Sequence, residues 1–155
     1  MGTPRYQSIK HDELNKYDLG ADAGTVEIIA GGYEGITGNA ETFTDMHVYN
    51  TRLNAGGAAV FNFPPAFNTG FLVIEGSIVV NESTTAQEGA FVYFANDGTE
   101  IQIKASERSV VLILSGEPID EPVAHYGPFL MNTSEEIEQA IDDYNRGCFG
   151  YLEED

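Results

Sequence analysis

Between Thr25 and Leu114 no apolar run is longer than a strand before a glycine, a proline or an Asn-Asp-Gly turn interrupts it, so long helices are excluded over most of the chain. Thr25 to Ala30 (TVEIIA), Met46 to Leu53, Ala58 to Phe63, Gly70 to Ile74, Ser77 to Val80, Gly89 to Phe94 and Ser109 to Leu114 each read as a short strand. Ile101 and Ile103, alternating with Gln102 and Lys104, read as one more. Glu75-Gly76 joins two of these as a hairpin, Asn81 to Gln87 reads as a polar turn region, and Phe63-Pro64-Pro65-Ala66-Phe67 reads as a stiffened aromatic corner. Gly31, Gly32, Gly35 and Gly38 lack the following helix and the Lys-Ser/Thr ending of a phosphate loop, so they are read as turns that need positive φ. About eight short strands with turns between them make the pattern of an all-β jelly roll or small barrel.

The period changes after Leu114. Pro118, Pro122 and Pro128 each fix φ and lack an N–H, which excludes helix interior and central strand across a loop from Gly116 to about Phe129. Thr133 with Glu136 three residues on forms a capping box, and Ile137, Ala140, Ile141 and Tyr144 recur at helical spacing until Gly147. An amphipathic helix over 134–146 is expected. Glu135, Glu136 and Glu138 suit its N-terminal turn and Arg146 its end, so the macrodipole accounts for these charges without an acid/base pair.

This C-terminal stretch resembles the pirin family, whose members are bicupin proteins with two β-barrel halves. The residues that carry the resemblance are Gly116-Glu117-Pro118, Glu121-Pro122, Tyr126-Gly127-Pro128-Phe129, Met131-Asn132-Thr133 and the run from Glu136-Ile137 to Ala140-Ile141. Weaker similarity extends back through Gly76 to Tyr6-Gln7. The resemblance implies the C-terminal half of such a protein: a single cupin (jelly-roll) barrel over 21–155 with one C-terminal helix, preceded by an arm or linker over 1–20. It also implies that a second half supports a first, iron-holding half, which in some bacterial members cleaves flavonols such as quercetin. Other members are transcriptional co-regulators acting through protein partners.

At 155 residues the chain has room for one such barrel and not two. Its 25 Asp and Glu against 7 Lys and Arg give a net charge of -18, which opposes binding to nucleic acid and to anionic membranes. A solvated surface is the preferred reading of that acidity. Cys148 is alone, no secretory signal pattern opens the sequence, and no apolar run approaches a membrane span, so a cytoplasmic setting is expected.

Cupin barrels usually hold a metal through an H-x-H pair, because alternate strand residues share a face. Counting back from Gly76 without gaps, the corresponding positions are Asn62, Pro64 and Asn68; counting forward from Gly89 reaches Gln102, with Lys104 close by. None is a usual transition-metal ligand, so no metal and no catalytic residue are expected. His11, His47 and His125 show no paired-ligand spacing and are read as structural or exposed; His47 with Glu41 or Asp45 is the weaker improvised site, and Asp120, Glu121 and Tyr126 lie near His125. Phe61, Phe63, Phe71, Phe91 and Tyr93 are candidates for lining a ligand pocket, though core packing accounts for most such residues. Ile137, Ala140, Ile141 and Tyr144 are a candidate docking surface.

The expected function is therefore a pirin-like cupin domain without a metal site, a structural or interaction module. It would pair as a homodimer or with a separate pirin-like N-terminal half. The alternatives are a quercetin 2,3-dioxygenase-like oxidoreductase, with iron as its cofactor, and a small-molecule binding module that uses the aromatic interior.

Overall fold

The computed structural model describes residues 6–150. Strands run in chain order β1 (Asn15–Asp18), β2 (Gly24–Ala30), β3 (Gly32–Tyr33), β4 (Ile36–Thr37), β5 (Met46–Leu53), β6 (Ala58–Asn62), β7 (Asn68–Glu75), β8 (Ser77–Val80), β9 (Thr84–Gln87), β10 (Phe91–Tyr93), β11 (Glu100–Ala105), β12 (Ser109–Gly116), β13 (Ala124–Tyr126) and β14 (Phe129–Met131), followed by the helix α1 (Ser134–Asn145). One antiparallel sheet has the order β1-β2-β5-β12-β7-β10 and a second has β6-β11-β8-β9. Their inner faces meet: Val26, Ile28, Phe71, Val73, Val111 and Ile113 of the first are buried with Phe61, Ile78, Ile101 and Ile103 of the second. This is a jelly-roll cupin architecture with a single α-helix among the described residues.

All eight runs read as strands are strands. Four pieces of β structure were not legible. Asn15–Asp18, inside the segment read as an arm, pairs with β2, because Tyr17 turns inward onto Tyr33 while Lys16 reaches Glu27 on the other face. Thr84–Gln87, read as a polar turn region, pairs with β8; only Ala86 is buried in it, so one small residue is its whole apolar signal. The glycine-rich stretch holds the β3–β4 hairpin, and the proline loop holds β13–β14, turned through Gly127 at φ +55° and Pro128. Gly at the first turn position is what a two-residue II′ hairpin favours, and Pro122 and Pro128 fall just outside the paired residues.

Gly76 makes the β7–β8 turn at φ +79°, where a Cβ would lie 2.4 Å from the Arg108 carbonyl oxygen. The chain forms one compact unit up to Pro118 and a second from Ile119. In the second, Thr133 Oγ1 accepts from the Glu136 N–H at 3.2 Å and the Glu136 carboxylate accepts from the Thr133 N–H at 3.1 Å, the expected capping box. The helix packs on β13 and β14, burying Ile137 and Ala140.

Candidate functional site

Strand alternation decides what can face the interior of the fold. In β6 the buried positions are Ala59 and Phe61, so Asn62 points outward, paired across to Glu100, and the next inward residue is Phe63. Gln102 and Lys104 are exposed on β11, whereas Ile101 and Ile103 are buried; Pro64 and Asn68 are exposed as well. The gapless count thus lands one residue off the pleat for Asn62 and Gln102, and neither they nor Pro64 and Asn68 occupy interior ligand positions. Lys104, two residues on along the same strand, lies outside too.

The inward pair spaced as H-x-H is Phe61 and Phe63, whose rings are 6.3 Å apart and 1° from parallel. Around them Tyr33, Tyr49 and Phe71 approach Phe61 at 5.4, 6.0 and 5.6 Å, and Phe94 lies on Phe71 at 4.7 Å. This aromatic cluster supplies carbon where a metal would need nitrogen or oxygen. Among the described residues no three His, Cys, Asp or Glu side chains come together. The residues present do not fit a transition metal.

Of the pocket-lining candidates, Phe61 and Phe71 are core and Phe63 borders a cleft, while Phe91 and Tyr93 are 56% and 66% exposed on the outer side of the edge strand. They were misread because β10 is only three residues long, and a FVYF run does not reveal which alternate positions face inward.

Polar groups enter the interior at one end. The register places His47, Ser115 and Thr69 side by side on β5, β12 and β7, with Thr69 Oγ1 and Ser115 Oγ 2.8 Å apart. The His47 ring lies 5.2 Å from Phe63 and 6.1 Å from Phe67. Its Nδ1 is 2.8 Å from the Tyr49 hydroxyl, which donates to the Gly32 carbonyl, so Nδ1 carries the proton and Nε2 presents a lone pair. Burial lowers the pKa of His47, outweighing the opposing pulls of the Asp45 charge and the Gly32 carbonyl. Burial likewise pushes the Tyr33 phenol up to about 12, helped by the Glu34 charge. Beside this row a cleft of about 90 Å³ is lined by Phe63, Pro64, Phe67, Thr69 and Phe94 and by the loop from Ala95 to Thr99.

His125, read as structural or exposed, is exposed on β13. The proline loop is braced by Asn132, whose Nδ2 donates to Glu121 Oε2 at 2.8 Å and to the Pro122 carbonyl at 2.9 Å. Of the helix residues taken as a docking surface, Ile137 and Ala140 are already buried, Ile141 borders a groove with Val123 and Tyr126, and Tyr144 is exposed beside Phe129 and Phe149.

Glu27 was missed. It lies in β2 with its side chain only 3% exposed, on the outward face, where it meets Lys16 Nζ at 2.9 Å, His11 Nε2 at 3.0 Å, Asn50 Nδ2 at 2.6 Å and Arg52 Nε at 3.5 Å. Desolvation alone would raise its pKa, but the Lys16 and Asn50 hydrogen bonds and the charges of Lys16 and Arg52 hold it down at about 2. The signal was available as a lone carboxylate in the apolar run TVEIIA.

The pirin C-terminal cupin domain matches residues 48–150. The chain belongs to the pirin family. It is 30% identical to human pirin over 155 residues, covering 97% of this chain and 53% of that protein. It is 39% identical over 154 residues to a Vibrio cholerae protein provisionally named quercetin 2,3-dioxygenase, covering 96% of this chain and 54% of the other. A solved quercetin 2,3-dioxygenase from Acinetobacter baumannii superposes with a TM-score of 0.91 at 34% identity, over 97% of this chain and 53% of its own. The chain thus spans about half the length of the pirin relatives it matches.

Proposed function

We propose that this pirin-family cupin domain is a non-catalytic module with an architectural and protein-binding role, in which the jelly roll is filled with side chains. The observation that carries the reading is the stacked pair Phe61 and Phe63 at the inward, alternate positions where a cupin metal site needs two imidazoles. Flavonol oxidation, the activity in the names of several relatives, is on this reading not performed by these residues. The test is metal content and turnover of untagged protein offered iron, copper, manganese and nickel in turn. The expected result is far less than one bound metal per chain after desalting and no oxygen uptake with quercetin. Stoichiometric metal, or turnover above the free-metal blank, would refute it.

A second reading, a small-molecule binding module, is favoured by the His47 Nε2 lone pair and the adjoining cleft. Both lie at the end of the fold where Phe63 and Phe67 offer flat apolar walls. Thermal stabilisation of metal-free protein by a planar phenol, lost in His47→Ala, would support it.

A further inference from the structure

The cleft at the polar end of the jelly roll is small and chemically one-sided. Its volume of about 90 Å³ is well under the roughly 300 Å³ at which pockets begin to enclose a drug-sized molecule, so it suits a head group. Phe63, Phe67 and Phe94 line it together with Asp97 and Glu100, and no Lys, Arg or His is among the lining residues. Among the described residues neither carboxylate is in an ion pair.

The polar groups here have acceptor capacity to spare. Thr69 is 5% exposed and its hydroxyl meets only that of Ser115, at 2.8 Å, so whichever of the two donates, Thr69 Oγ1 keeps a lone pair. His47, beside Phe63 and Phe67, has Nδ1 engaged by Tyr49 and Nε2 without a partner among the described residues. Its burial favours the neutral ring, which adds an acceptor and no repelling charge. Phenyl rings with negative faces, two uncompensated carboxylates and unused lone pairs oppose an anion and suit a group that only donates. An ammonium head has that character, with three N–H donors, no acceptor and a positive charge. The net charge of -18 draws such a cation in from a distance.

We propose that this cleft binds the ammonium head of a primary amine, with Phe63, Phe67 and Phe94 beside the charge, Asp97 and Glu100 at the rim, and Thr69 and His47 as neutral acceptors. The inference deepens the small-molecule reading of this end of the fold and rests on it. A free amine and the lysine side chain of a peptide share this chemistry.

The test is NMR titration of the untagged, metal-free chain with butylammonium, with N-acetyl-lysine methylamide and with butanol, the neutral counterpart of the first. The amines are expected to bind saturably and at least about tenfold more tightly than the alcohol, and to weaken between about 0.05 M and about 0.5 M salt. The tighter of the two amines identifies the source. Asp97→Asn combined with Glu100→Gln, both at exposed positions, and Phe67→Leu, which keeps apolar bulk but removes the ring, are each expected to weaken the amine at least about fivefold. Glu107→Gln removes one charge beside Gly76, past the far end of β7, and should change the affinity less than about twofold. Circular dichroism confirms each fold, and the double carboxylate variant keeps the test open if Phe67→Leu does not fold. Equal affinity for amine and alcohol, binding indifferent to salt, or binding unchanged in both cleft variants overturns the proposal. A planar phenol is titrated into the same samples. If the phenol binds through His47 and the amines do not, the amine site alone falls; if neither binds, the small-molecule reading falls with it.

Discussion

Glu27→Gln keeps the shape of a buried side chain and removes its charge, which makes it a sensitive probe of the sheet's outer face. The carboxylate titrates at about 2 in the folded protein against an ordinary value of 4.5. Because the folded value is the lower one, the linked stability is complete above pH 4.5 and is lost as pH falls through 2; the unfolded chain takes up the proton first. The shift corresponds to roughly 3 kcal/mol at neutral pH, of which about 2 kcal/mol is gone by pH 3. Other carboxylates also contribute to acid unfolding, so the informative quantity is the difference between wild type and Glu27→Gln, measured by urea denaturation at several pH values. The gap should be widest at pH 7 and shrink by about 3 kcal/mol on reaching pH 2. A gap constant to within about 0.5 kcal/mol over that range would show that Lys16, Asn50 and Arg52 do not hold the carboxylate ionised.

Four further outcomes are expected. Phe61→Ala, which empties the centre of the aromatic cluster, should cost about 3–5 kcal/mol in chemical denaturation, and a loss below about 1 kcal/mol would mean that the interior is not packed around it. Tyr49→Phe leaves the Gly32 carbonyl and His47 Nδ1 without their shared partner and should cost about 1–3 kcal/mol. In wild type, NMR titration should place His47 below its usual 6.5, so the stability tied to its neutral ring fades as pH falls below 6.5. Gly76→Ala forces a side chain into positive φ and against the Arg108 carbonyl, and its thermal midpoint should fall by several degrees, whereas Gly35→Ala, strained in φ but in open space, should fall less.

How far the sequence could be read follows from how each element advertises itself. Strands with one buried face, such as Met46–Leu53 and Ser77–Val80, repeat their apolar residues strongly enough to be bounded correctly. So does the capped helix, placed to within one residue at its end. Strands held mainly by backbone pairing or by ion pairs have no such signature. Asn15–Asp18 is anchored by Tyr17 and by Lys16 on Glu27, residues eleven positions apart that no local window joins. The site was harder still. A one-residue slip in counting turned Asn62 and Gln102 inward and hid Phe61 and Phe63 as the interior pair, because alternation is absolute along a strand but the sequence does not state its phase. The polar row of His47, Ser115 and Thr69 is set by pairing across three strands, and it becomes visible only once their registers are known.

The interior also makes the molecule its own spectroscopic reporter. The chain has eight tyrosines and no tryptophan, so its near-ultraviolet signal comes mainly from phenol rings. Tyr17, Tyr33 and Tyr49 form a relay with ring centres 5.3 and 5.7 Å apart, close enough for excitation to hop along it, and the last ring is hydrogen-bonded to His47 and Gly32. The phenols of Tyr33 and Tyr49 resist ionisation in the fold, so in an alkaline ramp they become phenolate together with the loss of packing. Tyr49 is hydrogen-bonded to His47, which lies against Phe63 and Phe67, so a guest settling there should change the absorbance of this chromophore and be followed without a label.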